Sequence, residues 1–363
     1  MAAVSGGGVL PDFEVASLAD LGIVVAPPLS EGQVQPASLD VRLGTRAHRL
    51  RSSFLPGAGG RVSDFLDALC MHDVPLDRGA VLEPGAVYLV PLLESLRLPP
   101  GMRARANPKS STGRLDIFAR LVTEAGEAFD EVAEGYEGPL WAEVSPRTFP
   151  IVVRPGSKLV QVRFTKGGRR VLDAAEHRAL HAADPLVNGG ADGAVGEGVT
   201  LSVDLDWGPG VAGWRARRHA GAVDVDAVAT LDPLDFWEPV RPGPGGIVLD
   251  PSEFYILASR ETVRVPVDHA AEMVPFDAGV GEFRAHYAGF FDPGFGHGAG
   301  VASRGVLEVR PRDVPFLLRQ GQSICRLVYE RMAATPASPY GTRSNYQGQG
   351  LRLSKAFRPL PAA

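Results

Sequence analysis

The 363-residue sequence predicts a mainly β protein built from two similar domains. Three observations carry that expectation. Glycine (43 residues) and proline (31) are abundant without any collagen-like period, a composition that fits many short strands joined by tight turns. The clearest local patterns alternate with period two, as in Leu159–Phe164, where Val160, Val162 and Phe164 share one face. Three segments of the first half also recur, in the same order, in the second.

The recurrences set the domain plan. Ser38-Leu39-Asp40-Val41-Arg42-Leu43-Gly44 matches Ser202-Val203-Asp204-Leu205-Asp206-Trp207-Gly208 as S-x-D-x-x-x-G, at offset 164. VLEPGAVYLV from Val81 matches VLDPSEFYIL from Val248, at offset 167. WAEVSPRTFPIVVRPGSKLVQVRF from Trp141 matches VLEVRPRDVPFLLRQGQSICRLVY from Val306, at offset 165. Collinear matches at nearly one offset indicate duplication of a unit of roughly 165 residues, too long for a solenoid repeat. The expected domains are 1–170 and 199–363, with 171–198 a helix and linker between them.

Along the chain, Asp12–Leu21 reads as a helix, and strands follow. Arg154-Pro155-Gly156-Ser157 reads as a turn, because proline presets φ and glycine supplies a positive one. The same turn recurs as Arg319-Gln320-Gly321-Gln322. Val171–Leu186, rich in alanine and charge, reads as a second helix running into the linker NGGADGAVGEG, Asn188–Gly198.

Bulk composition narrows the function classes. The chain is 45% hydrophobic and 22% charged with a formal net charge of -5, which excludes disorder and argues against binding a nucleic-acid backbone. A small anionic ligand needs only a local basic pocket. Two distant cysteines, Cys70 and Cys325, exclude a disulfide framework or a zinc ribbon. The start MAAVSGGGVL lacks the basic and apolar regions of a secretory signal, and no apolar run approaches the ~18 residues of a membrane helix. A cytoplasmic protein with no membrane partner is expected.

Four segments could carry chemistry, and each reads two ways. Lys109-Ser110-Ser111-Thr112-Gly113-Arg114 sets two cations and three hydroxyls beside a glycine; it is either a phosphate cradle or a solvated polar turn. His286-Tyr287-Ala288-Gly289-Phe290-Phe291-Asp292-Pro293-Gly294-Phe295-Gly296 looks like a hairpin, holding a planar base or simply packing its aromatics. Glu143 and Glu308 occupy the same place in the two repeats, each among apolar strand residues, either as an acid–base carboxylate or as an outward strand residue. Tyr340–Gly350 is rich in glycine and amides, as a segment closing over a ligand or a frayed terminus would be. A dinucleotide-binding G-x-G-x-x-G after a strand, a G-x-S-x-G elbow and an H-E-x-x-H pair are all absent. His177 and His181 stand four apart in the expected helix, without a carboxylate pattern that would make a metal site.

Together these segments resemble the dCTP deaminases, relatives of the trimeric dUTPases, in a long, internally duplicated bacterial form. The carriers are QPASLDVRLG (Gln35–Gly44), the Lys-Ser-Ser-x-x-Arg run, HYAGFFDPGFG, the strand glutamate with its following turn, and SNYQGQG before Leu353-Ser354-Lys355. The resemblance implies two dUTPase-like distorted β-barrel or jelly-roll domains with few short helices, working as a homo-oligomer. It implies hydrolytic deamination of dCTP to dUTP and ammonia, without zinc, supplying dUTP for thymidylate synthesis. The zinc deaminases need H-x-E with P-C-x-x-C, which two remote cysteines do not supply. The water would be activated by the strand glutamate, with Ser110 and Arg114 beside it. Lys109, Ser110 and Ser111 would hold the triphosphate, with Mg2+ carried on the nucleotide. His286, Ala288, Phe290 and Asp292 would line the base, and Tyr340, Tyr346 and Gln349 would belong to the closing tail. Alternatives within the resemblance are a dUMP-forming bifunctional enzyme or dUTPase, and an inactive nucleotide-binding module; dTTP is a further ligand the family allows.

The copies depart from the family pattern in complementary ways. The first keeps Lys-Ser-Ser-x-x-Arg, with lysine where the family has arginine, but its Thr123–Glu137 region is lengthened and carries five glutamates. The second keeps the hairpin and tail, but reads PFDAGVGEFR (Pro275–Arg284) in place of the serine run, and carries an insertion at His297–Ser303. The expectation is one composite site type, combining the phosphate loop of the first copy with the hairpin, Glu308 and tail of the second, with Glu308 the favoured catalytic residue and Glu143 the relic or structural copy.

Overall fold

The computed structural model describes residues 6–188, 194–207, 210–275, 283–285, 289–297, 303–311, 313–341 and 346–360. The chain divides into two compact units. The first comprises Met1–Arg170, Gly221–Ala227 and Met332–Ala337; the second comprises Val171–Ala220, Val228–Arg331 and Ser338–Ala363.

The first unit holds two six-stranded sheets and a small three-stranded one. In one large sheet, Val160–Lys166 lies between Met102–Pro108 and Ser38–Val41. Every residue from Val160 to Thr165 is buried, which suits a central strand covered on both faces. In the other, Val87–Arg97 lies between Glu137–Pro146 and Arg46–Leu50. Leu50, Val62, Leu89 and Val122 form a core cluster on one of its faces. The second unit has an eleven-stranded sheet and a two-stranded one, around a core that runs from Leu172 to Tyr329.

Helices are few and short. Asp12–Asp20 ends one residue before the sequence reading. Only Ala174–Ala183 of the expected Val171–Leu186 helix is helical. Asp173 caps it, its carboxylate accepting from the amides of Ala175 and Glu176, both at 2.8 Å. Val62–Leu69 is a helix that sequence reasoning missed, although Val62, Phe65, Leu66 and Leu69 follow helical spacing. The expected linker begins and ends in strand, with Val187–Asn188 at its start and Val195–Gly196 near its end.

The ladders confirm the duplication residue by residue. Val160 pairs with Pro108 and Cys325 with Pro275; Val162 pairs with Ala106 and Leu327 with Met273. Ile151 pairs with Leu82 and Phe316 with Leu249. The Tyr88 hydroxyl accepts from the Glu83 amide, as that of Tyr255 does from Asp250. These pairs carry the offsets of 165 and 167 read from sequence.

The S-x-D-x-x-x-G match is corrected. Val41 pairs with Val160, whereas the partner of Cys325 is Leu201, so Leu201 answers to Val41 at offset 160 rather than 164. The buried carboxylates agree: Glu94 accepts from the Arg42 amide at 2.7 Å and Glu261 from the Ser202 amide at 2.8 Å. A four-residue error keeps the inward and outward faces in phase, since strand side chains alternate with period two. The sequence match was therefore plausible, yet Asp204 is not the counterpart of Asp40.

Candidate active site

The two strand glutamates share one ladder position. Glu143 lies opposite Leu89, and Glu308 opposite Ile256. Both are buried, so neither is an outward-facing strand residue. The surroundings of Glu143 are committed within its own unit. Ser53 Oγ donates to Glu143 Oε2 at 2.6 Å, and Arg120, its cross-strand neighbour, donates through Nε and Nη2 to Oε1. The Arg120 guanidinium also lies 3.7 Å over the Phe129 ring, which fixes it in place. In the second unit the ladder pairs Ala285 with Val309 as it pairs Ala119 with Val144 in the first. One residue further along the sequence, arginine is replaced by His286, which lies outside the described residues, as does Ala288.

The hairpin backbone is present in both units. Met273 donates to Gly289 O, Phe295 to Asp292 O and Val265 to Phe295 O. In the first unit, Ala106 donates to Asp130 O, Tyr136 to Ala133 O and Leu98 to Tyr136 O. Asp292-Pro293-Gly294 thus answers to Ala133-Glu134-Gly135, and both glycines have positive φ, 94° and 70°. The first copy keeps the turn but has lost the Asp-Pro pair. Phe290, like Asp292, is buried, and Phe291 and Phe295 stack edge to face at 5.0 Å.

Asp130 stands where the second copy has Gly289. It has a left-handed φ of 63°, and its Oδ1 accepts from the Leu121 amide at 2.8 Å. Burial pushes its carboxyl up to about 7, against smaller lowering effects from that hydrogen bond and from Arg120 and Arg105. Four of the five glutamates in this region are engaged locally: Glu124 with the Val62 amide, Glu131 with Arg105, Glu134 with the Gly101 amide and Glu137 with Arg97.

The Lys109–Arg114 run forms one helical turn, Ser110–Gly113, directly after the Met102–Pro108 strand. Lys109 turns inward to pair with the buried Asp40. The serines are left half-buried at the turn, and Arg114 is buried. The corresponding loop of the second unit lies outside the described residues.

The tail docks on the hairpin of its own unit. The Tyr340 amide donates to Pro293 O at 2.7 Å, and its ring tilts against Phe295. Gln347, which lies in SNYQGQG but is not among the tail residues expected to act, accepts from the Gly296 amide and donates to His297 O. Gln349 and Arg304 exchange two hydrogen bonds, both at 2.9 Å, which ties the tail to the strand that carries Glu308. Tyr346 is buried, its hydroxyl accepting from the Lys355 amide. Arg304 in turn pairs with Asp204 at 2.7 Å and lies over Trp207. Gly350 packs on the same indole, where an added Cβ would come within 2.3 Å of it.

His48, Cys70 and Asp73 bring possible metal-ligand atoms within 4.8 Å of one another. Both Asp73 oxygens are already used, one by His48 at 2.7 Å and the other by Arg46 at 2.9 Å. Burial and the Asp73 charge push the Cys70 thiol up, keeping it protonated. The cluster is a surface charge network. Cys325 is fully buried in the second core, where burial pushes its thiol up as well. His177 accepts from the Tyr329 amide on Nε2 and donates from Nδ1 to Asp173 O, which makes it a structural histidine.

Comparison with known proteins then gives a consistent result. The model of the 2'-deoxycytidine 5'-triphosphate deaminase (DCD) N-terminal domain matches residues 6–168, and that of the C-terminal domain matches residues 173–357. The crystal structure of 2'-deoxycytidine 5'-triphosphate deaminase from Agrobacterium tumefaciens is 52% identical with a TM-score of 0.85, covering 90% of this chain and 99% of that one. The dCTP deaminase of Halorubrum lacusprofundi is 30% identical over 162 residues, 44% of this chain and 77% of the relative. The "dCTP deaminase, dUMP-forming" of Beutenbergia cavernae is 32% identical over 156 residues, 43% of this chain and 78% of the relative.

Proposed function

Because the chain belongs to the 2'-deoxycytidine 5'-triphosphate deaminase family, we propose that it hydrolyses dCTP to dUTP and ammonia, with Glu308 as the acid–base residue. The observation that supports the choice of Glu308 is the hairpin of its own unit, which keeps Asp292-Pro293-Gly294 where the hairpin of the Glu143 unit reads Ala133-Glu134-Gly135.

Glu308 takes a proton from water as the oxygen adds to C4 of cytosine. It then returns the proton to the departing amino group; the C4–N bond breaks to release ammonia, and the proton left on the added oxygen moves to N3 to give the uracil ring. A carboxylate suffices as the base, and the reading uses no zinc. The hairpin around Phe290 and Asp292 receives the base; Tyr340 and Gln347 of the tail hold that hairpin, and Gln349 ties the tail to the Glu308 strand. The Lys109–Arg114 turn, with its two serines, is the segment that the family resemblance gives to a triphosphate. Lys109 is paired with Asp40, so it braces the turn more than it supplies free charge. Mg2+ would be carried on the triphosphate of the nucleotide.

The relative from Beutenbergia cavernae is named dUMP-forming, so pyrophosphate is the second product to score. The test compares Glu308→Gln with Glu143→Gln, measuring ammonia and pyrophosphate separately from dCTP and from dUTP. Loss of ammonia release by a hundredfold or more in the first, and its retention in the second, is expected for a missing general base. The opposite pattern refutes the assignment, and stoichiometric pyrophosphate from dCTP refutes dUTP as the final product.

A further inference from the structure

The duplication leaves one binding edge filled and, among the described residues, its twin open. In the first unit, Ile151–Val153 pairs with Ala80–Leu82 on one side and with Val223–Asp224, in parallel, on the other. The added strand is well held. Val223 N–H donates to Pro150 O at 2.9 Å and Val225 N–H to Val152 O at 3.3 Å. Arg154 grips Asp224 with two hydrogen bonds, at 2.8 and 2.7 Å, and Ser157 Oγ donates to Asp226 at 2.6 Å. Val223 and Val225 are buried. The docked segment thus alternates aliphatic residues, which bury, with carboxylates, which meet one arginine and one hydroxyl.

In the second unit, Phe316–Leu318 pairs with Ile247–Leu249 in the same register, Leu317 facing Val248 as Val152 faces Val81. That register turns the N–H and C=O of Leu317 away from Ile247–Leu249 and toward the free edge. Among the described residues no strand lies there. Arg319 takes the place of Arg154, is exposed, and has no ion pair among the described residues. Gln322 takes the place of Ser157, and its side-chain amide keeps a donor. Leu317 and Val314 are 44% and 48% exposed, and Val248, opposite Leu317, is 56% exposed, which puts aliphatic surface beside the strand edge that no described strand pairs with.

We propose that the Phe316–Leu318 edge is a docking site for a partner protein, which adds an extended segment of alternating aliphatic and acidic residues as a parallel strand. Main-chain hydrogen bonds to Pro315 O and Leu317 O hold the segment. Arg319 and Gln322 read its carboxylates, and Val314 and Leu317 cover its aliphatic residues. The matching segment of this chain, Val223–Asp226, is already docked in the first unit, and among the described residues no other segment pairs with this edge; the occupant is a segment of another protein.

The probe is a fluorescein-labelled peptide reproducing residues 220–227, titrated into the full chain by anisotropy, with hydrogen exchange to locate it. Saturable binding with new protection at 315–319 is expected. Arg319→Glu, or asparagine in place of both peptide aspartates, should weaken binding at least tenfold. Arg319 is exposed, and an unchanged thermal midpoint confirms that its variant is folded. No binding, binding indifferent to Arg319→Glu, or protection at 150–154 instead overturns the proposal. Concentration-dependent self-association that Arg319→Glu abolishes also overturns it, by assigning the edge to a second copy of the chain.

Discussion

Replacing Asp130 with asparagine should stabilise the first unit above pH 7 and leave it nearly unchanged at pH 4. The Asp130 carboxyl, ordinarily near 3.8, is held at about 7 in the fold. The folded chain therefore keeps a proton that the unfolded chain releases as pH rises from about 4 to 7. Stability is full below that window and is lost across it. Three pH units at ~1.4 kcal/mol each set an upper bound of about 4 kcal/mol. Asparagine keeps an oxygen for the Leu121 amide and tolerates the φ of 63°. The assay is hydrogen exchange of residues 117–132, wild type against variant at the same pH. At pH 8 the variant should be more protected, by up to about a thousandfold, and at pH 4 the two should coincide. Equal protection at pH 8 would refute the claim that a buried, protonated carboxyl closes this hairpin.

Other expectations follow from the same geometry. Burial lowers the His177 titration below its ordinary 6.5, so its contribution is full above pH 6.5 and is lost as pH falls below it. His177→Gln should flatten the acid side of the thermal midpoint profile, at a cost of about 1–2 kcal/mol at pH 8 from its two hydrogen bonds. Gly296→Ala places a Cβ 2.1 Å from Val263 O at a φ of 67°, so the Gly296–Gln347 bond should break and limited proteolysis should reach the tail faster. Glu143→Gln leaves Arg120 without its anion. Because the Arg120 side chain is 35% exposed, urea unfolding should show a loss of about 1–2 kcal/mol rather than the 3–5 of a fully buried pair.

Much of this fold was legible because strands and turns leave local signatures. The repeat, the first helix, the paired glutamates and the Asp292-Pro293-Gly294 turn all rest on residue types whose conformational preferences act over a few positions. What stayed hidden depends on partners distant in sequence. Nothing near Glu143 announces Arg120 or Ser53, and nothing near Lys109 announces Asp40. The match between Asp40 and Asp204 misled because identical letters stood in for a register that only backbone pairing settles. The Thr123–Glu137 stretch shows five glutamates in sequence, but not the donors, 26 to 62 positions away, that hold four of them. Asp130 went unnoticed because the extra residues before it obscured its alignment with Gly289.

The two hairpins are anchored by unequal tethers. Ten positions separate Arg120 from Asp130, but three separate His286 from Gly289; beyond the turn, seven separate Tyr136 from Glu143, but thirteen separate Phe295 from Glu308. What one tether gained, the other nearly gave up, like a rope drawn through a pulley. A library that seeks new base preference should therefore shift residues from one tether to the other at constant total, in place of lengthening either alone.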